Sequence, residues 1–315
     1  MNISELKKLA ENARYMRESG IALLFVSGIL ALFLFLSPTP EYAPTEPITI
    51  VSSAAPDAFA DISLEAKAAI VYDLATGNVL YEKNAYAQLP LASLTKLLTV
   101  YSALVKLSPD TPVTIPPGVS SIEGQRTFNV GQTFSLSDLA RLTLTASLND
   151  GAAAIASATA ERGNRPQNEM LASAAAALNL SQTYAVNGSG LDENSAISGG
   201  YGSAYDIARL SGALVGKAPD ISAATTLDSA QAVSTGGTPF SVKNTDPIVG
   251  SITRLLLSKT GYTDLAGGNL ALVFDVGIGH PIAVVVLGSS LKSRFTDGAI
   301  LIASTLAHFA GVSSL

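Results

Sequence analysis

Three short runs hold the side chains best suited to chemistry: Ser93-Leu94-Thr95-Lys96, Ser147-Leu148-Asn149 and Lys259-Thr260-Gly261. A serine and a lysine three apart on a helix share a face, so the amine reaches the hydroxyl and serves as its base. Such a lysine must be partly neutral near pH 7, against an ordinary value of about 10.4. Burial and a second cation both push it down, and Lys259 is the obvious second cation. Pro90 precedes a helical pattern, so Ser93 is expected in its first turn, where free backbone N–H groups and the positive dipole end favour an oxyanion. Each run has a plainer reading: a helix cap for Ser93, a solvated helix residue for Lys96, a helix end for 147–149 and a strand-end turn for 259–261. Ser-x-x-Lys also occurs at Ser4 to Lys7 and at Ser289 to Lys292, so it decides nothing by itself. Ser-x-Asn and Lys-Thr-Gly occur once each, and the motif starts follow at offsets of 54 and 112 residues. It is the ordered set that carries weight.

Composition narrows the chemistry from the other side. The 315 residues include no Cys and no Trp, and only two His, His280 and His308. Thiol nucleophiles, disulfides, thiolate zinc sites and His-rich metal centres are therefore excluded. A single Ser-His-Asp triad is still arithmetically open, but lysine is the more available base, and both histidines read as structural.

These side chains need elements to hold them. Lys67 to Leu74 and Asn78 to Glu82 read as two strands of a hairpin turned at Ala75-Thr76-Gly77. Leu91, Leu94, Leu98, Tyr101 and Val105 recur at helical spacing, predicting a helix from Leu91 to about Lys106. Residues 136–216 are Ala- and Leu-rich with helical spacing, punctuated by the turn Asn187-Gly-Ser-Gly-Leu-Asp192 and by Gly199-Gly200. Ser147 and Asn149 fall where Asn-Asp-Gly interrupts that pattern, predicting a loop that aims both into a cleft. Apolar runs at Ile252 to Ser258, Asn269 to Val276 and Pro281 to Gly288 predict strands, with Lys259-Thr260-Gly261 at the end of the first. Residues from about 294 to 310 predict a closing helix. Strands at both ends with helices between imply an α+β fold, one antiparallel sheet flanked by helices with a mainly helical subdomain inserted.

The N-terminus is of another kind. Residues 21–36 carry no charge, and with Gly20 and Ser37 they extend over 18 residues, roughly 27 Å of helix, enough to cross a bilayer core. Lys7, Lys8, Arg14 and Arg17 precede the run and no Lys or Arg occurs between Glu18 and Lys67, which predicts a cytoplasmic N-terminus and an extracytoplasmic remainder. That remainder carries 15 basic and 22 acidic residues, so no nucleic-acid partner is expected. A cleaved signal peptide competes, but Ala43, with Glu41 before it and Pro44 after, is a poor cleavage site. Five prolines within 38–60 predict an extended tether. The expected organisation is a cytoplasmic tail over 1–20, a transmembrane anchor over 21–37, a Pro-rich linker over 38–61 and a catalytic domain over 62–315.

Around these motifs the chain resembles the D-alanyl-D-alanine carboxypeptidases, the low-molecular-mass penicillin-binding proteins. The resemblance extends to Leu89 to Thr99 around the nucleophile, Ala68 to Asn84 as the opening hairpin, Asp150 after Ser147-Leu148-Asn149, and Tyr262-Thr263-Asp264 with Ala266-Gly267 after the third motif. It covers about residues 62–312. It implies a β-lactamase/transpeptidase-like fold and a membrane-anchored hydrolase of peptidoglycan stem peptides. Ser93 would attack the carbonyl of the penultimate D-Ala, with Lys96 as general base. Ser147 would pass the proton to the leaving D-Ala, and Asn149 would hold the substrate amide and Lys96. The N–H groups of Ser93 and Tyr262 would form the oxyanion hole, Lys259 and Thr260 would steer the terminal carboxylate, and Gly261 would let a substrate backbone pass close by. β-Lactams would acylate Ser93 as mimics of D-Ala-D-Ala, and no metal or other cofactor would be required.

Many members carry a second β-rich domain and an amphipathic C-terminal anchor. Here Leu315 follows directly on the last predicted helix, so the N-terminal apolar run is expected to take over the anchoring. Arg294 lies where the family's additional carboxylate-binding Arg would be sought. A D,D-endopeptidase or transpeptidase would use the same motifs. A class A β-lactamase would need a Glu to activate water, and Glu161 and Glu169 lie in the right interval, although Glu169 to Ser173 lacks the Glu-x-x-Leu-Asn pattern. A non-catalytic wall-binding protein would have no need to fill every motif position.

Overall fold

The computed structural model describes residues 2–36, 57–121 and 126–311, in two units over residues 1–54 and 55–315. The described part of the first is one helix, α1 (Ile3–Leu36), which begins well before the predicted anchor and takes in most of the predicted cytoplasmic tail. It is long and apolar enough to cross a membrane. Ser37 and most of the predicted linker lie outside the described residues.

The second unit opens with β1 (Ala68–Asp73), β2 (Val79–Lys83) and the short β3 (Leu89–Pro90), followed by α2 (Thr95–Lys106). The hairpin β4 (Pro112–Thr114) and β5 (Thr133–Ser135) leads into α3 (Leu136–Ala146), α4 (Asn149–Gly163) and α5 (Gln167–Ala177). Then come β6 (Tyr184–Ala185), β7 (Gly200–Gly202), α6 (Ala204–Lys217), α7 (Pro219–Ala224) and a hairpin of β8 (Ser229–Val233) and β9 (Pro239–Lys243). The chain finishes the sheet with β10 (Leu255–Thr263), β11 (Gly267–Asp275) and β12 (Pro281–Ser289) and closes with α8 (Ser293–Ala310).

The main sheet is antiparallel in the order β10-β11-β12-β1-β2, so its first strand in sequence, β1, pairs with its last, β12, and β2 forms an edge. Side chains alternate across a strand, and here both faces are covered. Ile70, Val273, Val285 and Leu287 join one core with α2, α3 and α6. Val71, Leu272, Phe274, Val284 and Val286 join a second with Leu301 of α8 and with Phe59 and Leu64. This is why β12 is apolar almost throughout rather than at alternate positions. Asp297 of α8 ties the entry of the domain down, accepting from the N–H groups of Glu65 (3.1 Å) and Ala66 (2.9 Å) and from the Ser289 hydroxyl (2.8 Å).

The antiparallel sheet, its flanking helices and the helical insert agree with the expectation, but three local readings are corrected. Ser93 lies in a 3-10 turn, Ala92–Leu94, and α2 starts only at Thr95. Asn149 is the first residue of α4 rather than part of a loop; the link between α3 and α4 is only Ser147 and Leu148. Lys259-Thr260-Gly261 lies inside β10, which continues to Thr263, because residues 259–263 keep pairing with β11 from Ala271 to Gly267.

Candidate active site

The motif side chains meet where the Ser93 turn, the α3–α4 corner and β10 converge. The turn is held by unusual backbone: Ala92 has φ 48°, and Ser147 has φ 59° and ψ 39°, both left-handed. At Ser147 this conformation ends α3 in a single residue, so Ser147 and Asn149 sit on one tight corner. Gly261 lies against the turn, where an added Cβ would stand 2.9 Å from the Leu91 carbonyl and 3.3 Å from the Ser93 nitrogen. Only a residue without a side chain lets the strand approach the Ser93 turn this closely. Asn269 of β11 braces the same region, donating to the Pro90 carbonyl at 3.0 Å.

Two lysines organise the side chains. Lys96, with none of its surface exposed, places Nζ 2.7 Å from Ser93 Oγ, 2.9 Å from Asn149 Oδ1 and 2.7 Å from the Ser189 carbonyl. Lys259, equally buried, donates to Ser147 Oγ at 2.8 Å and to the Thr260 carbonyl at 2.7 Å. The Thr260 hydroxyl pairs with that of Thr245 at 2.6 Å. The structure thus gathers Ser93, Lys96 and Asn149 in one group and Ser147, Lys259 and Thr260 in a second. Tyr262, half exposed, lines a cleft of about 680 Å³ with Asn149, Leu191, Asp192, Thr263 and Asp264.

Burial pushes the Lys96 amine down from 10.5 to about 7, a drop that the Asp150 carboxylate partly opposes. The sequence reading named burial and a second cation, Lys259, together; burial is the leading cause. Lys259 is itself pushed well down, first by burial and then by the positive charges of Lys96 and Arg294, with Asp246 opposing. Asp150 is kept in place by the N–H groups of Thr127 (2.7 Å), Phe128 (3.0 Å) and Gly151 (2.8 Å).

Arg294 is the second residue of α8, buried, with Nη1 donating to the Gly261 carbonyl at 2.7 Å and its guanidinium over the Phe295 ring. Its Nε has no partner among the described residues. Glu161 and Glu169, sought for a water-activating role, are exposed. Among the described residues no group of three or more His, Asp or Glu is placed to hold a metal ion. Sequence reasoning missed Ser189, Thr245 and Asn269. For Ser189 the signal was the turn at 187–192, which was read only as punctuation; the group that matters is a backbone carbonyl, invisible in residue types.

A two-core α+β fold in which Ser-x-x-Lys, Ser-x-Asn and Lys-Thr-Gly meet at one junction of turn, corner and strand is the arrangement of the penicillin-binding class. The model of the D-alanyl-D-alanine carboxypeptidase family, peptidase S11, matches residues 51–290, and the chain belongs to that family. It is 31% identical over 269 residues to the D-alanyl-D-alanine carboxypeptidase DacD of Salmonella typhimurium, covering 80% of this chain and 66% of that one. To DacF of Bacillus subtilis it is 29% identical over 257 residues, covering 76% and 64%. The chain thus spans slightly less than two thirds of the length of these relatives. Penicillin-binding protein D2 from Listeria monocytogenes, in its cefotaxime-bound form, superposes with a TM-score of 0.65 at 26% identity, covering 78% of this chain and 98% of that one.

Proposed function

We propose that the chain is a D-alanyl-D-alanine carboxypeptidase that removes the terminal D-Ala of peptidoglycan stem peptides through an acyl-enzyme on Ser93. The observation that carries this reading is a fully buried lysine, with its amine brought down to about 7, 2.7 Å from a serine hydroxyl. Neutral Lys96 takes the Ser93 proton as Oγ bonds to the carbonyl carbon of the penultimate D-Ala. The carbonyl oxygen gains the negative charge, which the N–H groups of Ser93 and Tyr262 stabilise. The C–N bond then breaks, and the proton held by Lys96 passes through Ser147, which Lys259 holds, to the departing D-Ala nitrogen, leaving Lys96 neutral. Water, activated by the again neutral Lys96, releases the shortened peptide and restores Ser93. Asn149 orients the substrate amide, while Lys259, Thr260 and Arg294 supply positive potential and a hydroxyl for the terminal carboxylate. β-Lactams would acylate Ser93 by the same attack.

The four bases ahead of residues 21–36 and the lack of any Lys or Arg from 19 to 66 favour α1 as a single-pass anchor in the cytoplasmic membrane, with the catalytic domain outside.

The test uses the full chain in detergent with a disaccharide pentapeptide and a crosslinked dimer, products identified by mass, and Ser93→Ala as control. Release of D-Ala from the monomer supports the carboxypeptidase. Cleavage of the dimer alone replaces it with an endopeptidase, and joining of two stem peptides replaces it with a transpeptidase. If no penicillin labels Ser93, the acyl-enzyme itself is wrong.

A further inference from the structure

Lys96 has three oxygen neighbours, and they are not equivalent. Ser93 Oγ can give or accept a hydrogen, whereas Asn149 Oδ1 and the Ser189 carbonyl only accept. A neutral amine has two N–H bonds and one lone pair. With both carbonyl oxygens within 2.9 Å, the two N–H bonds are committed to them and the lone pair is left facing the Ser93 hydroxyl. When the amine is protonated, its third N–H takes the same direction and both states stay fully bonded.

The Ser189 carbonyl is in place because the turn behind it is tied on every side. Asn187 Oδ1 accepts from Ser189 N (3.1 Å), Ser189 Oγ (3.0 Å) and Gly190 N (2.8 Å). Its Nδ2 donates to the Leu191 carbonyl (3.0 Å) and to Glu193 Oε1 (2.6 Å). One residue before Ser189, the Gly188 carbonyl accepts from Thr99 Oγ1 at 2.7 Å, so two successive carbonyls dock on α2, at Thr99 and at Lys96. Gly190, with φ 76°, passes so close to the Ala92 carbonyl that a Cβ there would collide with it.

We infer that the turn 187–190 aims the Lys96 lone pair at Ser93, and that Asn187 and Thr99 are positioning residues for the reaction. The inference rests on the reading of Lys96 as the base of Ser93. The charged groups facing Lys96 are Asp150 from α4 and Lys259 from β10; Arg294 from α8 faces Lys259, and Glu193 is bonded to Asn187.

The experiment is the rate of Ser93 acylation by a fluorescent penicillin from pH 5 to 9.5, on the full chain in detergent, with thermal unfolding run beside it. For Asn187→Ala the high-pH plateau is expected to fall about 100-fold, the scale of a misaimed reacting group. Its acidic limb is expected to move to lower pH, because the ammonium has lost an acceptor and the charged form is less favoured. Asn187→Ser keeps an acceptor oxygen for the turn and is expected to recover about tenfold of that loss. Thr99→Val removes only the hydroxyl on Gly188 and is expected to show the same two signs with about a tenfold loss, so it carries the test if Asn187→Ala does not fold. A limb moving to higher pH would mean that water had entered and the turn merely sealed the site, overturning the inference. So would plateaus within about threefold of wild type in both Asn187→Ala and Thr99→Val. Failure of the unaltered chain to be acylated would count instead against Lys96 and Ser93 as base and nucleophile.

Discussion

Titrating the acylation of Ser93 reads Lys96 directly. The reacting species is the neutral amine, so the second-order rate with a penicillin follows its neutral fraction. With the amine at about 7, that fraction is about one in eleven at pH 6, one half at pH 7 and ten in eleven at pH 8. The rate should therefore rise about tenfold between pH 6 and 8 and be flat above pH 8.5. A lysine at its ordinary value would instead give about a 100-fold rise over the same interval and continue upward past pH 9. Stopped-flow quenching with substoichiometric penicillin separates the two curves without interference from deacylation. Lys96→Arg completes the test, since a guanidinium keeps the charge but cannot lose its proton; acylation should drop by about 1,000-fold or more. A rate still climbing with unit slope at pH 9.5, or an arginine variant within about tenfold of wild type, would refute the assignment of Lys96 as base.

Three further outcomes follow from the same geometry. Because Lys96 titrates near 7 when folded and about 10.5 when unfolded, the unfolded chain binds more protons between those values and stability rises with pH across that window. From pH 6.5 to 9 the urea midpoint of wild type should gain the equivalent of about 2 to 3 kcal/mol over that of Lys96→Met, followed by tyrosine fluorescence; parallel midpoints would sink the shifted lysine. Gly261→Ala places a methyl between β10 and the Ser93 turn, so acylation should fall about 100-fold while unfolding shifts by only about 1 to 3 kcal/mol, and an acylation rate equal to wild type would show that the strand has room. Asp297→Ala strands two N–H groups and a hydroxyl, an expected loss of about 2 to 4 kcal/mol in denaturant unfolding, and a change under about 0.5 kcal/mol would contradict its part in closing the domain.

The legible part of this molecule is what side-chain type and period encode. Ser93 and Lys96 could be paired because helical spacing fixes which residues share a face, and β1, β11 and β12 could be drawn because apolar runs bounded by turns have few other uses. The end of β10 was not legible, since Lys259 and Thr260 look like a polar strand exit; they stay in the strand because the two polar groups are buried against Ser147 and Thr245. The hairpin of β8 and β9 alternates exposed and buried residues around Gly236-Gly237 but is too weakly apolar to announce itself. Arg294 could be placed near the right position but not given a contact, because its partner is the Gly261 carbonyl, and main-chain partners depend on how two distant elements dock. The same holds for Ser189.

The pairing of β1 with β12 sets the order in which the molecule can come into being. Ala68 lies opposite Leu287, more than 200 residues away along the chain, so the hairpin of β1 and β2 is made early and left without its neighbour until residue 289 has emerged. A lone hairpin is marginal in water, and closing so long a loop is slow. Ser93 is thus synthesised more than 160 residues before Lys259 and Gly261, which complete its surroundings. A fragment ending between Lys96 and β12 would carry Ser93 and Lys96 but leave β1 without its β12 neighbour and the sheet incomplete. On the proposed reading, Ser93 is in effect unarmed until β12 closes the sheet.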